Sequence, residues 1–127
     1  MINRYWIYDK DDSKTGFPLG VLLNLIINFL CSEVLKVSVH RAEGYGEKVS
    51  SWDEQLFSPE DKVTATLEEV QELLGCDEEI LYWLDIEFEL ANGESFKFGL
   101  HDSSSMYVES AADLGDFLNS NFEHVKA

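Results

Sequence analysis

The hydrophobic pattern is sharpest between Ile80 and His101. Leu84, Ile86, Phe88 and Leu90 alternate with Asp85, Glu87 and Glu89, and after Ala91-Asn92-Gly93 the alternation resumes with Phe96, Phe98 and Leu100. Period-two alternation on both sides of an Asn-Gly signal predicts a β-hairpin. A two-residue loop would pair Phe88 with Lys97 and Glu89 with Phe96, mixing the two faces. A three-residue loop with Gly93 in the left-handed region pairs Phe88 with Phe96, Ile86 with Phe98 and Leu84 with Leu100. Those six residues form the expected core face. The opposite face carries Asp85, Glu87 and Glu89, with Lys97 facing Glu87, and Leu81 and Trp83 are expected to begin it.

The remaining elements follow from similar patterns. Arg4 to Tyr8 is a short aromatic strand, and Asp9 to Gly16 a polar loop. Its Asp9-x-Asp11-x-Ser13 start departs from a calcium loop, with Lys14 where glycine is required and Gly20 where the closing Glu belongs. Pro18 suits the first turn of a helix running to about Glu33. Leu22, Leu23, Ile26, Ile27, Phe29 and Leu30 cover more than half its circumference, so it is expected to be buried against a sheet, with Cys31 a small core residue. Asn24 and Asn28 stand at its rim.

Val34 to Arg41 reads as a half-buried strand, with Leu35, Val37 and Val39 inward and Lys36, Ser38 and His40 outward. Glu43-Gly44-Tyr45-Gly46 is expected to end it. Residues 47–63 are irregular, pinned by Trp52, Leu56 and Phe57, with a helical turn starting at Ser58-Pro59. Thr66 and Glu69 match a capping box opening a helix with the stripe Leu67, Val70 and Leu74, stopped by Gly75. Met106 to Glu109 is a last strand. Ser110 is expected to cap a closing helix whose buried side is Leu114, Phe117, Leu118 and Phe122. The result is a single α+β domain over residues 1–127: an antiparallel or mixed sheet with a C-terminal meander and helices packed mainly on one face.

Charge narrows the function. The 127 residues hold 25 acids against 9 bases, a net charge of −16. Glu43 to Glu94 contains 16 of those acids and only Lys48 and Lys62 as bases. Nucleic acid and anionic membranes repel such a chain, and a cationic partner is favoured. The expected partner-binding residues are Asp85, Glu87, Glu89 and Trp83 on the hairpin, Glu68, Glu69 and Glu72 on the helix, and Asp77 and Glu78 between them. Trp83 would be an aromatic anchor beside a polar rim.

Catalytic chemistry finds little support. His101-Asp102-Ser103-Ser104-Ser105 has hydrolase residue types, but adjacency is not a triad and no nucleophile elbow is present. His40 and His124 have no metal-ligand spacing with each other or with a cysteine. Cys31 and Cys76 show no redox or metal spacing, consistent with a reducing compartment. No cofactor is expected. The apolar run Phe17 to Cys31 is too short for a membrane span and follows acids rather than bases, so a cytoplasmic protein is expected.

A small, acidic α+β chain of this layout resembles the immunity proteins of bacterial toxin systems, including contact-dependent inhibition. The resemblance rests on size, charge and element order and carries no motif. It implies one-to-one neutralisation of a cognate basic toxin, commonly a nuclease, by covering its active site. Two alternatives remain at this point. One is an acidic adaptor or nucleic-acid mimic that inhibits a DNA-binding protein. The other is a small-ligand or enzyme domain with a pocket between the apolar helix and the sheet, lined by Asn24, Asn28 and a histidine.

Overall fold

The computed structural model describes residues 2–127. Its strands are β1 (Asn3–Ile7), β2 (Val34–Tyr45), β3 (Val63–Ala65), β4 (Ile80–Leu90), β5 (Ser95–His101), β6 (Ser105–Ser110) and β7 (Val125–Lys126). The helices are α1 (Leu19–Leu30), α2 (Glu47–Asp53), α3 (Leu67–Leu74) and α4 (Gly115–Asn121). The strands form one sheet in the order β3-β2-β4-β5-β6-β1-β7, with every neighbouring pair antiparallel. This is the expected α+β domain. One face of the sheet is covered by helices, and the inward side chains of the sheet and of all four helices merge into a single hydrophobic cluster.

The central hairpin has the expected register: Phe88 pairs with Phe96, Ile86 with Phe98 and Leu84 with Leu100. Gly93 has φ +88°, and its N–H donates to the Leu90 carbonyl, closing the three-residue loop. The hairpin continues into β6, which completes the meander, and β1 returns to lie between β6 and β7.

Three irregularities shift side chains away from simple alternation. Between Val34 and Lys36 the β2–β4 register slips, and Leu35 is 65% exposed instead of facing the core. A second slip leaves His40 unpaired between Val39 and Arg41. The third leaves Tyr82 unpaired between Leu81 and Trp83. Each inserts one residue and reverses the inward–outward alternation beyond it. Leu81 is therefore a core residue, and Trp83 alone of that pair lies on the outer face.

Other elements depart from expectation for local reasons. Helix α1 stops at Leu30 because Cys31 adopts a left-handed conformation, φ +54°, and this leaves Cys31 exposed. The buried side of α1 is Leu19, Leu22, Leu23 and Ile26, while Phe29 is partly exposed and stacks on Phe117 of α4. Strand β2 runs on through Gly44 to Tyr45. Residues 47–53 are helical: Val49 and Trp52, one turn apart, bury one side of α2. Phe57 is 88% exposed, and Ser58 to Asp61 form a turn rather than a helix start, held by the Asp61 carboxylate accepting from the Phe57 and Ser58 N–H groups. The α3 capping box forms, but its buried residues are Val70 and Leu73, with Leu67 and Leu74 at the margin. Ser110 ends β6, and the Asp113 carboxylate receives the Gly115 N–H at the start of α4.

Candidate functional site

The expected acidic set splits in two. Asp85, Glu87 and Glu89 project from the uncovered face of the sheet, because Leu84, Ile86, Phe88 and Leu90 between them enter the core. Glu68, Glu69, Glu72, Asp77 and Glu78 lie on α3 and the turn after it, whose Val70 and Leu73 enter that same core from the helix layer. The two sets are neighbours in sequence, but the sheet separates them.

On the open face the carboxylates are not bare. The Asp85 carboxylate accepts from the Trp83 indole N–H at 3.1 Å and from the Tyr107 hydroxyl. Glu87 pairs in register with Lys97 and Ser38, and its Oε1 lies 3.5 Å from His40 Nε2 without hydrogen-bond geometry. Glu89 lies 3.9 Å from Lys36 Nζ. Glu109 bonds Arg4, and Glu43 accepts from Arg41. These exposed pairs each contribute only about 0–1 kcal/mol, but together they balance the local charge.

Aromatic rings fill the space between the ion pairs. The Arg41 guanidinium lies 3.6 Å from the Trp83 ring centroid, and Arg4 sits over both Trp6 and Tyr107. His101 packs edge-on to Trp6 and tilted against Trp83. Tyr107 is buried beneath this layer, and its phenol is pushed above its usual range, first by burial and next by the adjacent Asp85 charge. Tyr45 and Tyr82 meet edge to face at one end, where loss of solvent and contact with Tyr45 raise the Tyr82 phenol.

Sequence patterning misses most of this layer. Arg4 and Trp6 alternate with the inward Tyr5 and Ile7, a signal present in the chain, as is Glu109 beside Tyr107. Trp83 lies on this face as alternation predicts, but the outward position of Arg41 depends on the slip at His40, which leaves no side-chain mark. His101, Asp102 and Ser103 form no triad. Asp102 and Ser103 have positive φ in the β5–β6 turn, and the Ser104 hydroxyl donates to the His101 carbonyl. Asn24 and Asn28 are exposed, and Asn24 accepts from Gln71 of α3, so they do not line a pocket between α1 and the sheet.

The helix side is different. A groove of about 670 Å³ between α2 and α3 is lined by Glu47, Glu72, Glu78 and Glu79, with Lys48 the single cation among its lining residues. Lys48 is engaged by Glu69 at 3.1 Å. That contact, then the Thr66 N–H donated to the same carboxylate, holds the Glu69 carboxyl below its usual range. Glu79, absent from the expected set, is buried: its Oε1 accepts the Val49 N–H at 3.0 Å. It caps α2 across the groove, where Gly46 has no side chain to do so. Glu47, Glu68, Glu72, Asp77 and Glu78 are exposed and have no hydrogen-bond or ion-pair partner among the described residues.

Among the described residues no group of three or more His, Cys, Asp and Glu side chains is arranged to hold a metal ion. No helix is long and apolar enough to cross a membrane. No protein-family model, curated protein or solved structure matches the chain.

Proposed function

We propose that this chain is an acidic binding protein that neutralises a cognate basic protein toxin in the cytoplasm, with a nuclease domain the class of toxin that fits. The supporting observation is the set of exposed, uncompensated carboxylates lining the α2–α3 groove, Glu47, Glu72 and Glu78, with Glu68 and Asp77 exposed nearby in sequence on α3 and the turn after it. An unpaired carboxylate at a groove rim is free to take a bidentate Arg or a Lys from a partner. A nuclease site binds phosphates with such cations, and carboxylates can occupy the same positions, which would cover the active site. The net charge of −16 adds long-range attraction that speeds encounter with a basic protein. Among the expected contact residues, the α3 group is favoured over Asp85, Glu87 and Glu89, whose charges already have partners on the sheet.

The test is charge reversal. Glu47→Lys, Glu72→Lys and Glu78→Lys are combined, folding is checked by circular dichroism, and binding is compared with wild type against basic nuclease domains produced by the native cell. Loss of both binding and protection from toxicity is expected. Full retention of both by the triple variant would remove the groove from the site. Equal binding to unrelated basic proteins would instead favour a nucleic-acid mimic.

A further inference from the structure

We propose that the open face of the sheet is a homodimer interface, occupied by a second copy of this chain. The first reason is its charge. The face carries Arg4, Lys36, Arg41, Lys97 and Lys126 against Glu43, Asp85, Glu87, Glu89 and Glu109, as many bases as acids. The whole net charge of −16 therefore belongs to the rest of the molecule. Two strongly acidic copies repel through any other surface. Through this one they meet as neutral bodies. Facing sheets pack about 10 Å apart, and the carboxylates on the far side of each helix layer then lie beyond the screening length of about 8 Å at physiological salt.

The second reason is that the face complements itself. Its charges run in columns along the strands. The β4 column is acidic, with Asp85, Glu87 and Glu89, and the β6 column holds Glu109. Lys97 on β5 and Arg4 on β1 supply the opposite sign, and β2 is mixed, with Lys36 and Arg41 beside Glu43. A two-fold axis parallel to the strands, midway between β4 and β5, places β4 over the β5 of the second copy and β2 over its β6. Glu87 of each copy then faces Lys97 of the other at the same level along the strands, as an isologous interface requires. A basic toxin gains no such match from a neutral surface.

The third reason is apolar exposure and size. Ile2, Tyr8, Tyr45 and Tyr82 are exposed large side chains on or bordering this face, in addition to the Trp6–Trp83–His101 layer. Aromatic centres inside a charged rim are typical of specific interfaces. Five neighbouring strands about 4.8 Å apart and about seven residues long project to roughly 500 Å². With side-chain relief this approaches the about 800 Å² per partner of a standard interface.

Sedimentation equilibrium of the full chain at physiological salt tests the proposal, with circular dichroism confirming that each variant folds. Wild type is expected to be a dimer. Tyr82→Glu or Lys97→Glu is expected to raise the dimer dissociation constant at least about tenfold. Adding Glu87→Lys to Lys97→Glu restores the facing opposite pair and recovers association, while Val21→Glu on the helix side leaves the dimer unchanged. Should Tyr82→Glu fail to fold, the Lys97 and Glu87 variants carry the same comparison. A wild-type protein that stays monomeric into the submillimolar range overturns the proposal. So does a dimer that Val21→Glu dissociates and Lys97→Glu does not.

Discussion

The Tyr107 hydroxyl reaches from β6 across β5 to the Asp85 carboxylate on β4, and Gly99 is the residue it crosses. A Cβ at position 99 would stand 2.9 Å from the Tyr107 ring and 1.7 Å from the Leu84 carbonyl oxygen. The absence of a side chain at Gly99 thus allows the part-buried link between a tyrosine and an acid two strands apart. Gly99→Ala is expected to destabilise the protein by at least about 1–3 kcal/mol through overpacking. Chemical denaturation would check this, and an unchanged midpoint would contradict it.

Tyr107→Phe removes the hydroxyl and keeps the ring. Hydrogen bonds to charged groups contribute about 1.5–3 kcal/mol, and a loss in that range is expected. The pH response has a definite sign. The Tyr107 phenol is raised above the ordinary tyrosine value of 10.0 in the folded state. Its contribution is complete below that value and is lost as pH rises through the folded-state pKa, because the unfolded chain ionises first. Ultraviolet titration of wild type should show a tyrosine that ionises only with alkaline unfolding, absent in Tyr107→Phe.

Glu79 and α2 supply a second stability prediction. Glu79→Ala leaves the buried Val49 N–H without an acceptor, at an expected cost of about 1–3 kcal/mol. Glu79→Gln keeps a carbonyl acceptor and loses only the charge at the helix start, so its cost should be smaller. Equal denaturation midpoints for the two variants would refute the capping role.

The Thr66–Glu69–Lys48 cluster predicts an acid response. The Glu69 carboxyl is held below the ordinary carboxyl value of 4.5. Its contribution is therefore present above that pH and lost as pH falls through the lower folded-state pKa. Thr66→Ala should cost about 1 kcal/mol at neutral pH. Lys48→Met should reduce stability slightly at neutral pH and have no effect once Glu69 is protonated, which thermal melts across the acid range would show.

Uncompensated carboxylates on the helix side repel one another as well as attracting cations. The melting temperature is expected to rise when sodium chloride is added to a low-salt buffer, because screening relieves that repulsion. Glu72→Lys should raise the low-salt melting temperature and weaken its salt dependence. A melting temperature that falls with added salt would contradict this account.

The parts of the fold readable from sequence are those whose signal is local. Strict alternation around Ala91-Asn92-Gly93 fixed the hairpin register, and Thr66 with Glu69 marked the start of α3. What was hidden depends on distant partners. The slips at Leu35, His40 and Tyr82 exist only in the pairing of β2 with β4, so alternation places Trp83 outside correctly but nothing in the sequence turns Leu81 inside. Helix α2 takes its cap from Glu79, which lies far along the chain. Strands β3 and β7 exist only because β2 and β1 accept them. The acidic set reads as one patch because its members are close in sequence, and the sheet running between them was not visible.

The sheet ends on β3 with three residues at one side and on β7 with two at the other. The long strands β2 and β4, which could template further strands, lie inside these edge strands in the sheet order. Edges this brief offer an incoming chain too few free amides to continue the ladder. Short edge strands of this kind work against lengthening into fibrils, and crowding the molecule should yield discrete particles.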